Sequence, residues 1–305
     1  MKKLFIFEFA TCLGDLPESI AVEGLAMFKS MLNFSKYYYL VSGVRHEFRE
    51  IFPFDVKSFD ECLKEADCAL IVAPENDYLL YELTKKVEES GVENLGAESK
   101  AIEVTSDKYK LYLKLKKVVN LPKTSLRELE GKYVVKPRVS CGGEGIKLGG
   151  DVPDGYIAQE YVEGVPFSAS FLAYDDTALL SLNEQILDGF EYRGAVVPFE
   201  VDREIRREVE EIGCAVADKI KGLKGYFGVD LVLGEEVYLI EVNARLTTPS
   251  ILFEFSYGKS LADMFEEFRK KGRVEVKSRG KYRLYKGSGS GYVTYKNYAI
   301  KVERV

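Results

Sequence analysis

The sequence predicts a mixed α/β and α+β protein: a parallel α/β unit at the N-terminus, then antiparallel sheet carrying one long helix. Three observations predict it. Over the first hundred residues, apolar strand-like runs alternate with helical segments, the pattern of a small parallel sheet. Beyond Pro122 the rhythm changes to short strands separated by turn residues, which reads as antiparallel sheet. The stretch GYFGVDLVLGEEVYLIEVNAR (Gly225–Arg245) reads as a buried hairpin, yet its strands carry two acids and an amide, Asp230, Glu241 and Asn243.

Each element follows from its residues. LFIFEF (Leu4–Phe9) lacks alternation, as expected of a strand covered on both faces. PESIAVEGLAMFKSML (Pro17–Leu32) reads as a helix with proline in its first turn, where the missing N–H is not needed. YYYLV (Tyr37–Val41) and CALIVA (Cys68–Ala73) are further strands, and DYLLYELTKKVEES (Asp77–Ser90) is a helix stopped by Gly91. SDKYKLYLKLKK (Ser106–Lys117) is helix-like and ends near Pro122. KYVVKP, EGIKL, YIAQEYV, FSASFLAY and TALLSLNEQIL then follow as short strands. DREIRREVEEIGCAVADKIKG (Asp202–Gly222) has the periodicity of one long amphipathic helix. After the hairpin come the helix SLADMFEEFRKKG and the tail KYRLYKGSGSGYVTYKNYAIKVERV, which reads as a closing pair of strands about a GSGSG turn.

Composition narrows the function classes. The chain has 305 residues, a net charge of −6 and a pI of about 5.3, so no broad nucleic-acid or membrane-surface footprint is expected. No apolar run reaches the length of a membrane span. MKKLFIFEFATCLG has Glu8 inside its apolar run and reads as a first strand rather than a signal peptide. The five cysteines are odd in number and form no CxxC pair, which fits a reducing cytoplasm without disulfides or a zinc site. His46 is the only histidine and sits in the polar GVRHEFRE, so a histidine-based nucleophile is not expected. The absence of Trp and the abundance of Lys and Glu is a bias found in hyperthermophile proteins.

The hairpin carries the clearest chemistry. Gly234–Glu235 suits a two-residue turn with glycine first. That register sets Leu233 opposite Glu236 and Asp230 opposite Leu239, with Val237, Leu239, Glu241 and Asn243 on one face. Asp230 then shares the face, diagonal to Glu241 at roughly 7 Å between Cβ atoms. A slip of one residue would send it to the other side. Three oxygen-bearing side chains without His or Cys suit a hard cation, Mg²⁺ or Mn²⁺, whose shell phosphate oxygens would complete. The alternative is an ion-paired or exposed hairpin face, since buried carboxylates need a compensating charge.

Upstream, KYVVKPRVSCGGEGIKL (Lys132–Leu148) ends a strand in Lys136 and continues into a small-residue loop. Glycines there let backbone N–H groups approach phosphates, although this is no Walker loop and no helix follows. YIAQEYVEG places Gln159 and Glu160 at a strand end, where a carboxylate and backbone groups can read an adenine edge. Lys108 sits in a polar helix start and is unremarkable alone.

In order, Lys108, Lys136 before SCGGEG, QEYVEG, Asp230 and EVNAR resemble the ATP-grasp superfamily from about residue 100 to 265. The resemblance implies two antiparallel-sheet subdomains clasping ATP behind a Rossmann-like N-terminal domain, divided as 1–98, 99–163 and 164–305. It implies that Lys108 and Lys136 contact ATP phosphates, and that Ser140, Gly142, Gly143 and Gly145 belong to a mobile lid loop. Gln159, Glu160 and the backbone of Tyr161 and Val162 would bind adenine, and Glu163 would reach the ribose. Asp230, Glu241 and Asn243 would hold two Mg²⁺ or Mn²⁺, with Glu241 bridging, while Arg245 and Arg193 would face the transferred phosphoryl group or a substrate carboxylate. The implied reaction is ATP-dependent amide formation through an acyl phosphate, which needs no protein nucleophile.

Within the superfamily, FEFATCLGDLPESIAVEGLAMF and EVNARLTTPS resemble archaeal ligases of methanofuran biosynthesis that join the γ-carboxyl of L-glutamate to tyramine. A loop after the first strand lies at the carboxyl end of the sheet, where α/β proteins bind ligands. Glu18, Ser19 and Glu23 there are candidates to read an amine, and Thr11 to donate to a carboxylate; Glu18 and Glu23 also simply favour a helix start. Thr247 and Thr248, with Arg245, are candidates for the glutamate carboxylate. The expected partners are an amino acid and an amine, with no nucleic acid and no membrane, in the cytoplasm. A homodimer stays open. So do another amino-acid or dipeptide ligase of this fold and an ATP-binding regulatory protein without turnover.

Overall fold

The computed structural model describes residues 1–305 as three sheets. The first is parallel, with order β2-β1-β3-β4, from β1 (Lys3–Glu8), β2 (Tyr39–Val41), β3 (Cys68–Val72) and β4 (Glu93–Asn94). Its helices are α1 (Phe9–Cys12), α2 (Glu18–Met31), α3 (Phe59–Glu65) and α4 (Leu79–Ser90). Phe5 and Phe7 point to one side of β1 and Leu4 and Ile6 to the other, and all are buried, which is why the strand shows no alternation.

The chain continues through α5 (Ser99–Ser106) and α6 (Lys108–Leu115) into a small antiparallel sheet. Its strands are β5 (Thr124–Ser125), β6 (Tyr133–Pro137), β7 (Lys147–Leu148) and β8 (Tyr156–Glu160), in the order β5-β8-β6-β7. The third sheet has eight strands in the order β13-β12-β9-β10-β11-β14-β16-β15. These are β9 (Val165–Ala173), β10 (Thr177–Asp188), β11 (Glu191–Val197), β12 (Gly225–Leu233), β13 (Val237–Asn243), β14 (Tyr282–Gly287), β15 (Val293–Tyr295) and β16 (Tyr298–Arg304). α7 (Arg203–Lys219) precedes β12, and α8 (Phe253–Tyr257) and α9 (Leu261–Lys271) follow β13.

Two cores lie on opposite faces of the large sheet. α7 buries Val209, Ile212 and Val216 against Phe171, Phe227, Val229 and Leu231. Such side chains contribute about 1.5–3 kcal/mol each when fully buried. On the other face Val22, Leu25 and Phe28 of α2 share a core with Leu252, Phe253, Leu284 and Ile300. The N-terminal unit is therefore packed onto the last strands of the chain and does not stand apart.

Several elements differ from the sequence reading. The helix expected from Ser106 begins at Lys108, because Asp107 caps it, accepting from the N–H groups of Tyr109 (2.9 Å) and Lys110 (3.2 Å). α5 precedes it without a linker, and α3 has a capping box built by Ser58 and Glu61; neither helix is anticipated. The tail is not a simple pair of strands about GSGSG. That segment crosses from β14 to the outer strand β15, so that β16 inserts between them after a turn at Lys296. No helix is long and apolar enough to cross a membrane.

Candidate active site

The β12–β13 hairpin reaches the expected face by an unexpected register. Its loop has three residues, Gly234–Glu236, with Leu233 opposite Val237 and Leu231 opposite Leu239. A β-bulge at Ile240 then sets Asp230 directly opposite Glu241 rather than diagonal to it. Val237 and Leu239 consequently lie in the core with Val229, Leu231 and Val242, while Asp230, Glu241 and Asn243 share the other face. The longer loop and the bulge offset each other. Asn243 Nδ2 donates to Asp230 Oδ2 at 3.0 Å, and Gln185 Nε2 from β10 donates to Oδ1 at 2.7 Å. Burial first, and the facing Glu241 second, push the Asp230 carboxyl up to about 7 against these two hydrogen bonds and the more distant Arg245.

Two buried lysines face the acids. Lys108 opens α6; its Nζ lies 3.3 Å from Glu241 Oε1 and donates to the Ser140 carbonyl oxygen at 2.8 Å. Lys136 on β6 makes no hydrogen bond or ion pair, and burial together with Lys108 pushes it down to about 8 although Glu241 and Asp230 oppose the shift. Asp107 brings the two lysines together. While capping α6 it accepts from Arg138 Nε (3.2 Å) and Nη2 (2.5 Å), and Lys108 N–H donates to the Arg138 carbonyl at 2.9 Å. The small sheet is thus pinned to the helix that carries Lys108.

The Ser140–Gly145 loop covers this cluster. Gly142, Gly143 and Gly145 all have positive φ, and a Cβ on Gly143 would collide with the Phe190 carbonyl of the β10–β11 turn. Asn76, after β3, donates to Glu144 Oε2 at 3.3 Å, so the loop touches all three sheets' connections.

Arg245, just past β13, donates two parallel hydrogen bonds to the Glu75 carboxylate, from Nε to Oε1 and from Nη2 to Oε2, both at 2.8 Å. Burial opposes its charge, but Glu75 outweighs burial and holds the guanidinium ionised. Glu75 lies in the loop after β3, at the carboxyl end of the parallel sheet, so this pair joins that sheet to the hairpin. A surface depression lined by Lys2, Asp60, Lys64, Asp67, Lys86 and Glu89 among others lies at the amino ends of the same strands and contains none of these groups.

Other candidates fall elsewhere. Arg193 is the bulge residue of β11, exposed and paired with Asp188 (3.2 Å) and Glu191 (2.9 Å); it does not face Asp230. Its neighbour Tyr192 does. Glu160 is exposed and accepts from Lys123 N–H at 3.1 Å, and Glu163 pairs with Lys132 at 2.7 Å. Gln159 is buried and donates to Thr124 Oγ1 at 3.1 Å, while Tyr161 N–H is engaged by the Lys132 carbonyl and Val162 packs near Gly234. Thr11 is fully buried and donates to Glu8 at 2.6 Å, so it is engaged within the fold. Thr247 Oγ1 lies 2.6 Å from Tyr226 Oη, and Thr248 begins the short 3₁₀ turn that follows. Glu18 pairs with Lys296 at 2.9 Å beside the partly exposed Ser19, whereas Glu23 reaches Lys286 at 2.6 Å. Gln185, Glu75, Tyr192 and Lys286 are absent from the sequence reading. Only Glu75 carried a signal there, its place directly after a buried strand.

Paired lysines and acids beneath a glycine-rich loop, at the junction of a parallel sheet and two antiparallel ones, define a class. Residues 105–249 match the ATP-grasp domain and residues 52–102 the pre ATP-grasp 3 domain. The chain belongs to the ATP-grasp superfamily, as an ATP-dependent carbon–nitrogen ligase. It is 32% identical over 298 residues to the tyramine–L-glutamate ligase of Methanocaldococcus fervens, covering 91% of this chain and 98% of that one. To the tyramine–L-glutamate ligase of Methanocaldococcus jannaschii it is 30% identical over 296 residues, with 91% and 92% covered. The crystal structure of an ATP-grasp superfamily protein from Archaeoglobus fulgidus superposes with a TM-score of 0.94 at 44% identity, both chains being covered in full.

Proposed function

We propose that this protein joins the γ-carboxyl of L-glutamate to the amine of tyramine, forming γ-glutamyltyramine with release of ADP and phosphate. The relatives named above support the substrates. One observation carries the site: Lys136 is a buried amine without a protein partner, and Asp230 is a buried acid whose charge the protein does not offset. A nucleotide phosphate with a divalent cation satisfies both, because each supplies the charge the other group lacks. Asp230, Glu241 and Asn243 would hold Mg²⁺ or Mn²⁺, which would neutralise charge on the phosphates.

The chain's own groups then position and shield. Lys108 and Lys136 hold phosphate oxygens, and the Ser140–Gly145 loop excludes water from a hydrolysable acyl phosphate. The glutamate γ-carboxylate oxygen bonds to the γ-phosphorus as the bond to ADP breaks. The neutral amine nitrogen bonds to the carbonyl carbon, the bond from that carbon to the phosphate oxygen breaks, and the proton the nitrogen loses passes to the departing phosphate. Arg245, fixed by Glu75, would hold the transferred group. No step uses a protein nucleophile.

Purified protein with ATP, Mg²⁺, L-glutamate and tyramine is expected to release ADP and form the amide, identified by mass spectrometry, and to stop when the cation is chelated. ADP release with a different acid–amine pair, and none with this one, would overturn the substrates. No release with any pair would favour an ATP-binding protein without turnover.

A further inference from the structure

On the face that carries Asp230, a second polar group of side chains lies toward α2. Gln185, bonded to Asp230, pairs in register with Ala195, which pairs with Leu284 of β14. Lys286 lies two residues beyond Leu284 and so shares this face. The bulge at Arg193 sets Tyr192 opposite Leu187, on the same side as Gln185. A polar row therefore crosses the sheet from Asp230 through Gln185 and Tyr192 to Lys286, and Glu23 descends from α2 to close it.

Three members of this row have unspent bonding capacity. Lys286 Nζ lies 2.6 Å from Glu23 Oε1, with side chains only 15% and 22% exposed, and neither makes another hydrogen bond or ion pair. The Tyr192 hydroxyl is buried without any partner. It lies within the electrostatic reach of both Glu23 and Asp230, between the two ends of the row. Buried polar groups are normally satisfied, and an unpartnered hydroxyl beside a half-buried ion pair with spare donors and acceptors points to a ligand that completes them.

The chemistry selects the ligand. An acid and a base side by side match a zwitterion, whose ammonium turns to Glu23 and whose carboxylate turns to Lys286 and the Tyr192 hydroxyl. A neutral ring or phenol would desolvate the ion pair and return too few bonds. We propose that Glu23, Lys286 and Tyr192 form the site for the α-ammonium and α-carboxylate of the amino-acid substrate, so that its side-chain carboxylate points toward Asp230 and Glu241. This rests on the ligase reading above and adds that the enzyme selects an α-amino acid over a simple carboxylic acid.

The test compares three acids in ATP turnover with tyramine: L-glutamate, glutarate, which lacks the ammonium, and 4-aminobutyrate, which lacks the α-carboxylate. Lys286→Met should lower kcat/KM for L-glutamate about ten- to hundredfold, the effect of losing a charged hydrogen bond, and leave 4-aminobutyrate largely unchanged. Glu23→Gln should erase the preference over glutarate, and Tyr192→Phe should raise KM for L-glutamate by a smaller factor. A parallel fall for all three acids, or no change for L-glutamate, would overturn the proposal. If the parent releases no ADP at all, the ligase reading fails separately. Calorimetric binding of L-glutamate still decides the site: binding weakened by Lys286→Met supports it, and no binding overturns it.

Discussion

Two partly or fully buried aspartates carry opposite burdens. Asp263 in the first turn of α9 accepts from Ser260 N–H (2.8 Å), Ser260 Oγ (2.7 Å), Lys36 (3.0 Å) and Tyr37 (2.9 Å). Burial alone would raise it, but these donors outweigh burial and pull it down to about 2. Asp230 receives two amide N–H bonds, faces Glu241 and is pushed up to about 7. Both sites are ordered by the same fold. The acid that fastens α9 to the N-terminal unit is satisfied within the protein, whereas the acid in the hairpin is left in deficit. A deficit of that kind, in a place where two lysines converge, is what the proposed nucleotide and cation would make good.

The strongest test of this contrast is Glu241→Gln. Turnover should fall at least about hundredfold, because a group that balances charge during the reaction is lost. Folding stability, measured by urea unfolding without cation or nucleotide, should change little, since Asp230 loses its like-charged neighbour while Lys108 loses an ion-pair partner. A variant that turns over at the parent rate, or that unfolds far more readily, would place Glu241 among the structural acids with Asp263.

Lys136→Met comes next. It removes a buried charge that has no protein partner, so stability should hold or rise. The kcat/KM for ATP should fall about tenfold to hundredfold, as expected for one charged contact to phosphate. Unchanged ATP kinetics would show that the lysine is buried for some reason other than phosphate.

How much of this was legible in the sequence follows from the range of the forces involved. The parallel unit, the long helix α7 and the hairpin strands are written in local periodicity, and they formed where expected. The shared face of Asp230, Glu241 and Asn243 was also readable, but through a two-residue turn that does not exist. The bulge at Ile240 restored the face, and nothing in GEEVYLIEVN announces it. Arg193 was misassigned for the same reason. A bulge in β11 exposes it and turns Tyr192 inward, and a strict two-residue period cannot report that. Glu75 and Lys286 meet their partners across 170 and 263 residues of chain, so only tertiary packing reveals them.

The structural side of the contrast has its own test. Asp263→Asn should leave turnover unchanged and reduce stability at neutral pH by about 1–2 kcal/mol, after discounting the shift for its partial exposure. The sign follows from the lowered folded-state value. The unfolded chain takes up its proton first as pH falls, so the stabilisation is present above the ordinary aspartate range and is lost as pH drops through about 2. The gap between parent and variant should therefore close between about pH 4 and pH 2. A gap that stays constant to pH 2 would assign the effect to packing.

Arg193→Ala should produce the smallest effect of the series. Its two partners, Asp188 and Glu191, sit with it in solvent near the end of the hairpin, where an ion pair contributes about 0–1 kcal/mol. The side chain points away from Asp230, so kcat and both KM values should stay within about twofold of the parent. A large loss of turnover would mean that the β10–β11 turn moves during the cycle and carries Arg193 inward. The turn's Phe190 carbonyl already abuts Gly143 of the covering loop, so the same motion should then respond to Gly143→Ala.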